Sequence, residues 1–173
     1  GKPALSGLPA TFDREGAAQT LEVETLDAVT GVKVTLLYTV FEDHPVIARS
    51  ARVENTGDSP VNLERVYSAC LDLPTMGWDM VHLYGRWAKE TTTVRHPLQH
   101  GIQAIHSKRG MTGPNHNPFL ALADHTATEE TGEALGMSLL YSGNFAFDVE
   151  VDTRGCPRVL WGINPEEFRW RLE

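Results

Sequence analysis

Hydrophobic and polar residues alternate along most of this chain with a period of two, the spacing of β-strands, whose successive side chains point to opposite faces. Over residues 20–26, Leu21 and Val23 alternate with Glu22 and Glu24. Over residues 32–41, Val32, Val34, Leu36, Tyr38 and Val40 share one face, while Lys33, Thr35 and Thr39 share the other. That pattern predicts a half-buried strand of an antiparallel sheet with its apolar row turned inward. Residues 27–31 end in Gly and join the two segments as a hairpin-like link. The acidic pair Glu42-Asp43 and His44-Pro45 turn the chain into a strand over 46–55. Asn55-Thr56-Gly57-Asp58-Ser59-Pro60 is a strong turn signal, since Gly and Asn tolerate positive φ and Pro cannot donate to a ladder. A strand rich in branched residues follows over 61–71. Further strands are predicted over 80–87, 90–95, 102–107, 119–124, 134–142, 145–151 and 158–162, with Ser142-Gly143-Asn144 as a hairpin turn.

No window carries a helical apolar stripe. Short strands at close spacing predict an all-β antiparallel sandwich, with residues 1–173 as one domain. One segment stands apart. Residues 107–119 hold two Gly, two Pro and two Asn with Lys108, Arg109 and His116 among them. A loop of this length is either functional or a rigid crossover between two sheets.

The composition is that of a folded globular protein, with 41% apolar and 22% charged residues. The net charge of −8 argues against a nucleic-acid partner, because neutralising phosphates needs a basic face, and Lys108-Arg109 is too small a cluster to make one. No run of about 18 apolar residues is present, so no membrane-spanning helix is expected. The opening Gly1-Lys2-Pro3-Ala4-Leu5 has no apolar signal-peptide core, and no N-x-Ser/Thr sequon occurs. Cys70 and Cys156 are far apart without a CxxC pattern and are expected as reduced thiols, which makes the expected address cytoplasmic.

Candidate chemistry within the chain is thin. No G-x-S-x-G elbow offers an activated serine, and Cys70 sits in an apolar context that suits a buried residue better than a nucleophile. Of seven histidines, His96 and His100 are four apart, a spacing that serves zinc only on a helix; Pro97 and Gly101 exclude one, and in extended chain the pair is about 13 Å apart. No metal or cofactor is expected. Glycoside hydrolysis needs two carboxylates about 5 to 10 Å apart, one an acid and one a base or nucleophile. Asp72 and Asp79, flanking Leu73-Pro74-Thr75-Met76-Gly77-Trp78, are the most suggestive acids, with turn capping as the plainer role for Asp72. For sugar recognition, Trp78, Trp87, Trp161 and Trp170 could stack on rings, with Arg86 and Arg109 as hydroxyl ligands; core or interface packing is the alternative for each Trp.

Several motifs in fixed order resemble glycoside hydrolase family 36 α-galactosidases. They begin with Tyr38-Thr39-Val40-Phe41-Glu42-Asp43, Val46-Ile47-Ala48-Arg49 and Val53-Glu54-Asn55-Thr56-Gly57. Leu83-Tyr84-Gly85-Arg86-Trp87-Ala88-Lys89-Glu90, Arg95-His96-Pro97-Leu98 and Gly101-Ile102-Gln103-Ala104-Ile105 follow. The most specific are Ser107-Lys108-Arg109-Gly110 with His116-Asn117-Pro118-Phe119, and Tyr141-Ser142-Gly143-Asn144-Phe145 with Gly162-Ile163-Asn164-Pro165 and Phe168-Arg169-Trp170. The family's usual Ser-Ser-His run reads Met111-Thr112-Gly113-Pro114 here. The resemblance runs nearly end to end.

It implies a large enzyme with an N-terminal β-supersandwich, a central (β/α)8 barrel and a C-terminal β-domain, acting on α-galactosides such as melibiose and raffinose. The catalytic aspartates of its retaining mechanism lie in the barrel, so this chain is expected to hold no catalytic residue and to be inactive alone. Leu5-Ser6-Gly7-Leu8-Pro9 resembles a point inside the family's N-terminal domain, so the sandwich is expected to lack its earliest strands and to expose a sheet edge. The implied partners are the barrel of the same polypeptide, the oligosaccharide in the full enzyme and further copies in a homo-oligomer, with no nucleic acid and no membrane. Arg109, His116 and Asn117 are the substrate-binding candidates, and Trp78, Arg86 and Trp87 the interface candidates. A carbohydrate-binding module acting on its own, or a small free-standing hydrolase using Asp72 and Asp79, are the competing readings.

Overall fold

The computed structural model describes residues 18–173, which form thirteen strands and no helix. The Leu5–Pro9 stretch and the missing-strand expectation attached to it fall outside the described residues. The chain divides into two compact units, residues 1–69 with 168–173, and residues 70–167.

In the first unit, β1 (Ala18–Leu26), β2 (Val32–Phe41) and β3 (His44–Asn55) form an antiparallel meander. The short β4 (Val61–Leu63) pairs with β13 (Trp170–Leu172). Turn chemistry sets the links. Asp27 accepts hydrogen bonds from the Val29 amide at 2.9 Å and the Thr30 hydroxyl at 2.6 Å. Gly31 follows at φ 74°, where a Cβ would meet the Gly57 backbone nitrogen at 2.5 Å, so this crossing of two turns accepts only glycine.

The faces of β2 reverse the expectation. Thr35, Leu37 and Thr39 are the buried row, while Val32, Val34, Leu36 and Tyr38 are half-buried and Val40 is exposed. The Thr39 hydroxyl shares a 2.9 Å hydrogen bond with that of Thr20. Alternation states which residues share a face; it does not state which face is covered.

The second unit is the sandwich. One sheet has the order β10-β9-β6-β7, the other β5-β12-β11-β8. Its members are β5 (Tyr67–Asp72), β6 (Trp78–Arg86), β7 (Lys89–Pro97), β8 (Gly101–His106), β9 (His116–Asp124), β10 (Ala134–Ser138), β11 (Phe145–Val151) and β12 (Pro157–Ile163). The core draws on both sheets: Met80, Leu120, Leu122 and Met137 from one, Ile105, Phe145, Phe147, Val149, Val151 and Val159 from the other. Phe145, Phe147, Leu120, Leu122, Val149 and Val159 are wholly buried. Phe147 stacks parallel to Trp161 at 6.1 Å and meets Phe145 edge-on at 6.0 Å. These contacts reward the period of two over 145–151, a segment whose predicted and observed bounds coincide, as they do over 32–41.

Elsewhere the boundaries move. The strand expected over 61–71 breaks at residues 64–66 into β4 and β5, and the one over 134–142 stops at Ser138. Ser142-Gly143-Asn144 is not a hairpin turn: it carries the chain from one sheet to the other, because β10 pairs with β9 and β11 with β8 and β12. The loop of residues 107–119 is shorter than expected, since β9 begins at His116. β13 has too few residues to show a period and was not anticipated.

Candidate functional site

Strand direction gathers the sequence candidates at one end of the sandwich. β6 runs out to Arg86, and Tyr84 lies opposite His116 at the start of β9. In the facing sheet, His106 at the end of β8 lies opposite Ala146, and Ile163 opposite Phe145. The segment 107–115 leaves β8 and enters β9 at this same end, so Arg86, Trp87, Arg109, His116 and Asn117 share one rim. Trp87 stands 92% exposed at the tip of the β6–β7 hairpin. The neighbouring Ala88, second residue of the turn, has φ 58°, and its amide donates to Glu90 Oε1 at 3.0 Å. Gly85 lets the loop close in: a Cβ there would lie 2.5 Å from the Pro114 carbonyl oxygen. Trp78 is not on this rim. It starts β6, eight residues or about 25 Å away, and packs half-buried against the core.

Arg109 is exposed and His116 and Asn117 are half-buried. His116 packs edge-on to Tyr84 at 5.4 Å and lies 5.9 Å from His82, which is 6.0 Å from His96. Burial pushes the His82 imidazole below its usual pKa, with the charges of His116 and His96 adding to the effect. His116 is lowered likewise by burial, then by His106 and Arg109. Both rings are therefore neutral at pH 7 and can donate or accept a hydrogen bond. The Nδ1 atoms of both rings and the Asn117 amide nitrogen are buried without a hydrogen-bond partner.

The loop itself is held by side chains from two other segments. The Asn164 amide donates to the Ser107 carbonyl at 3.0 Å, and the Gly110 amide donates to Asn144 Oδ1 at 2.6 Å. The Ser107 hydroxyl donates to the Met111 carbonyl, and Lys108 pairs with Glu166. Sequence reasoning had placed Asn144 only in a turn and Asn164 only in a motif. Their role was hidden because both partners lie more than thirty residues away.

The acids singled out earlier are engaged elsewhere. Asp72 receives both Nε and an Nη of Arg158, at 2.6 and 3.0 Å, and this bond holds its pKa below the usual carboxylate value. Asp79 is buried, which opposes ionisation, but hydrogen bonds from Arg95 and His125 and their charges outweigh burial and lower its pKa. Arg95 is clamped at the far end of the sandwich, donating to Asp79 at 2.6 Å and to the carbonyls of Ala127, Asp124 and His125. A general acid needs a raised pKa; both carboxyls are shifted the other way. His96 and His100 likewise go separate ways, with His100 Nδ1 bonded to the Asp152 carbonyl at 2.9 Å. Among the described residues no three His, Cys, Asp or Glu side chains are grouped to hold a metal ion. Beside the loop lies a cleft of about 230 Å³ lined by His106, Lys108, Asp148, Asn164 and Glu166, smaller than the roughly 300–1,000 Å³ of self-sufficient ligand pockets.

The rim thus offers an exposed indole, guanidinium groups, neutral imidazoles and an amide. Residues 1–173 match the family model described as the glycosyl hydrolase family 36 N-terminal domain. The chain belongs to that domain family. This family 36 domain is 47% identical over 174 residues to α-galactosidase AgaA of Geobacillus stearothermophilus, covering 100% of this chain and 24% of the relative. It is 44% identical to α-galactosidase 1 of Pediococcus pentosaceus, again over 100% of this chain and 24% of the relative. The crystal structure of AgaA superposes with a TM-score of 0.97, and that of the α-galactosidase from Lactobacillus brevis, 42% identical over 99% of this chain and 23% of that one, with 0.96. A variant of AgaA has been solved in complex with raffinose. This family 36 domain therefore spans about a quarter of the length of the proteins it matches.

Proposed function

We propose that this domain is the non-catalytic N-terminal part of a cytoplasmic, oligomeric α-galactosidase that removes terminal α-galactosyl residues from oligosaccharides such as melibiose and raffinose. The single observation that carries the reading is full-length similarity to α-galactosidases four times as long. The chemistry of the domain supports the division of labour: its two most suggestive carboxylates are held ionised by arginines, which fits a reaction centre carried by the rest of the parent. Residues 1–173 act as one domain that supports the catalytic barrel. Arg86 and Trp87 form an interface to the parent's remaining chain, with Trp78 contributing what the core leaves uncovered. Arg109, His116 and Asn117 approach the sugar beyond the cleaved bond and read its hydroxyls.

Assay of nitrophenyl α-galactoside is the direct test. The isolated domain should release no nitrophenol, while the full-length parent should. In the parent, Arg109→Ala and Asn117→Ala should raise KM several-fold with kcat little changed, the mark of a contact made equally in ground and transition states. Unchanged kcat/KM in both variants would remove this rim from the substrate site. An independent binding module is the second reading, favoured by the indole of Trp87 standing free. Calorimetric titration of the isolated domain with raffinose decides it, since millimolar or tighter binding would require a site complete without the barrel.

A further inference from the structure

The rim residues are useful only if the segment that carries Arg109 holds one shape, and residues 107–115 contain neither a strand nor a helix. Their anchoring comes from two asparagines belonging to other strands' ends. Asn144 precedes β11 and Asn164 follows β12, and the two are joined to each other by a backbone hydrogen bond from the Asn164 N–H to the Asn144 main-chain carbonyl at 3.0 Å. From this joined base, Asn164 reaches the first residue of the loop, Ser107, and Asn144 reaches the fourth, Gly110. Arg109 lies between those two points. Gly110 has φ 81°, a left-handed turn that suits glycine at the point where the loop meets Asn144. Two backbone bonds flank the same stretch, from the Ser107 amide to the Phe145 carbonyl and from the Thr112 amide to the Ser142 carbonyl, each 2.9 Å.

We infer that Asn144 and Asn164 are positioning residues that clasp the Arg109 loop onto the end of the sandwich. This rests on the reading of Arg109 as a substrate contact, but the clasp itself is a statement about the loop. The two side chains use different halves of their amides. Asn144 acts through its oxygen, an acceptor that Asp would retain. Asn164 acts through both halves: its nitrogen donates to Ser107, and its oxygen accepts the Glu166 amide at 2.9 Å. Asp at 164 would keep the acceptor, lose the donor and set a carboxylate against a carbonyl. A clasp therefore predicts an asymmetric pattern of tolerance that a general packing role would not.

The experiment uses the full-length parent with N144A, N144D, N164A and N164D, read by amide hydrogen exchange of residues 108–112 and by the separation of KM from kcat. Loss of the buried Asn164 bond should lower loop protection roughly 5- to 100-fold, and loss of the exposed Asn144 bond about 3- to 10-fold. N144A, N164A and N164D should show this loss together with a several-fold rise in KM at nearly constant kcat; N144D should stay within about twofold of the parent in both readouts. Asn164 is buried, so if its variants do not fold, N144A against N144D decides alone. Equal exchange in N144A and N144D would overturn the clasp. If R109A leaves kcat/KM unchanged while N144A still loosens the loop, the clasp stands and the sugar-contact reading falls.

Discussion

The sandwich core holds an aromatic stack through Phe147, and its removal gives a sharp expectation. Phe147 is wholly buried, lies parallel to Trp161 at 6.1 Å with 3° between the ring planes, and meets Phe145 edge-on. Phe147→Ala deletes a phenyl ring from a site lined by strands of both sheets, which cannot collapse without breaking register. Large-to-small changes of this kind cost about 3–5 kcal/mol, transfer and cavity together. Trp161 is only half-buried, so Trp161→Ala should cost less, about 2 kcal/mol. Because the rings touch, the double variant should be less destabilised than the sum of the singles by about 0.5–1.5 kcal/mol, the worth of an aromatic pair beyond its buried area. Urea unfolding followed by far-ultraviolet circular dichroism measures all three without relying on the indole as reporter. The midpoint should fall at nearly constant slope, and the melting temperature of Phe147→Ala should drop by roughly 10 °C, at about 3 °C per kcal/mol for a chain of this size. A loss below about 1.5 kcal/mol, or strict additivity in the cycle, would refute the assignment of this stack to the centre of the fold.

Two further outcomes follow from the charged and imidazole groups. His82 and His116 have lowered pKa values in the folded state, so protons bind the unfolded chain more readily; stability should be full above about pH 6.5 and decline as pH falls below it. His82→Gln should flatten that part of the melting curve, and an unflattened profile would show that these rings are not the cause. Asp79 answers a different window: its lowered pKa stabilises above pH 3.8 and is lost as pH falls through the folded value. Asp79→Ala leaves the Arg95 guanidinium, 35% exposed, without its carboxylate, and should cost about 2 kcal/mol, less than breaking a fully buried pair because Arg95 keeps water and its carbonyl acceptors. Calorimetric melting at pH 7 checks it, and a change below about 1 kcal/mol would mean the clamp is not needed.

How legible the molecule was depends on which physical quantity each feature requires. The segment 145–151 was readable in full because alternation and burial agree there: every other residue faces a core supplied by both sheets. Residues 32–41 were readable as a strand but not as an oriented one. Their apolar row looks inward by composition, yet Thr35, Leu37 and Thr39 are the covered ones. Arg86, Trp87, Arg109, His116 and Asn117 could be picked out by residue type and family resemblance, whereas the clasp through Asn144 and Asn164 could not. An asparagine's partner thirty-four or fifty-seven residues away is set by strand pairing, on which local sequence is silent.

The residue pattern alone settled that the chain forms strands, roughly where most begin and end, and which side chains stand together on each, because a period of two is a local property of the extended backbone. Which of two faces is buried, which strands become neighbours, and which loop tips meet at the rim were decided only by tertiary structure. Those outcomes depend on surface removed from water between distant segments, and that quantity does not exist until the two sheets close over Phe145, Phe147 and Leu120.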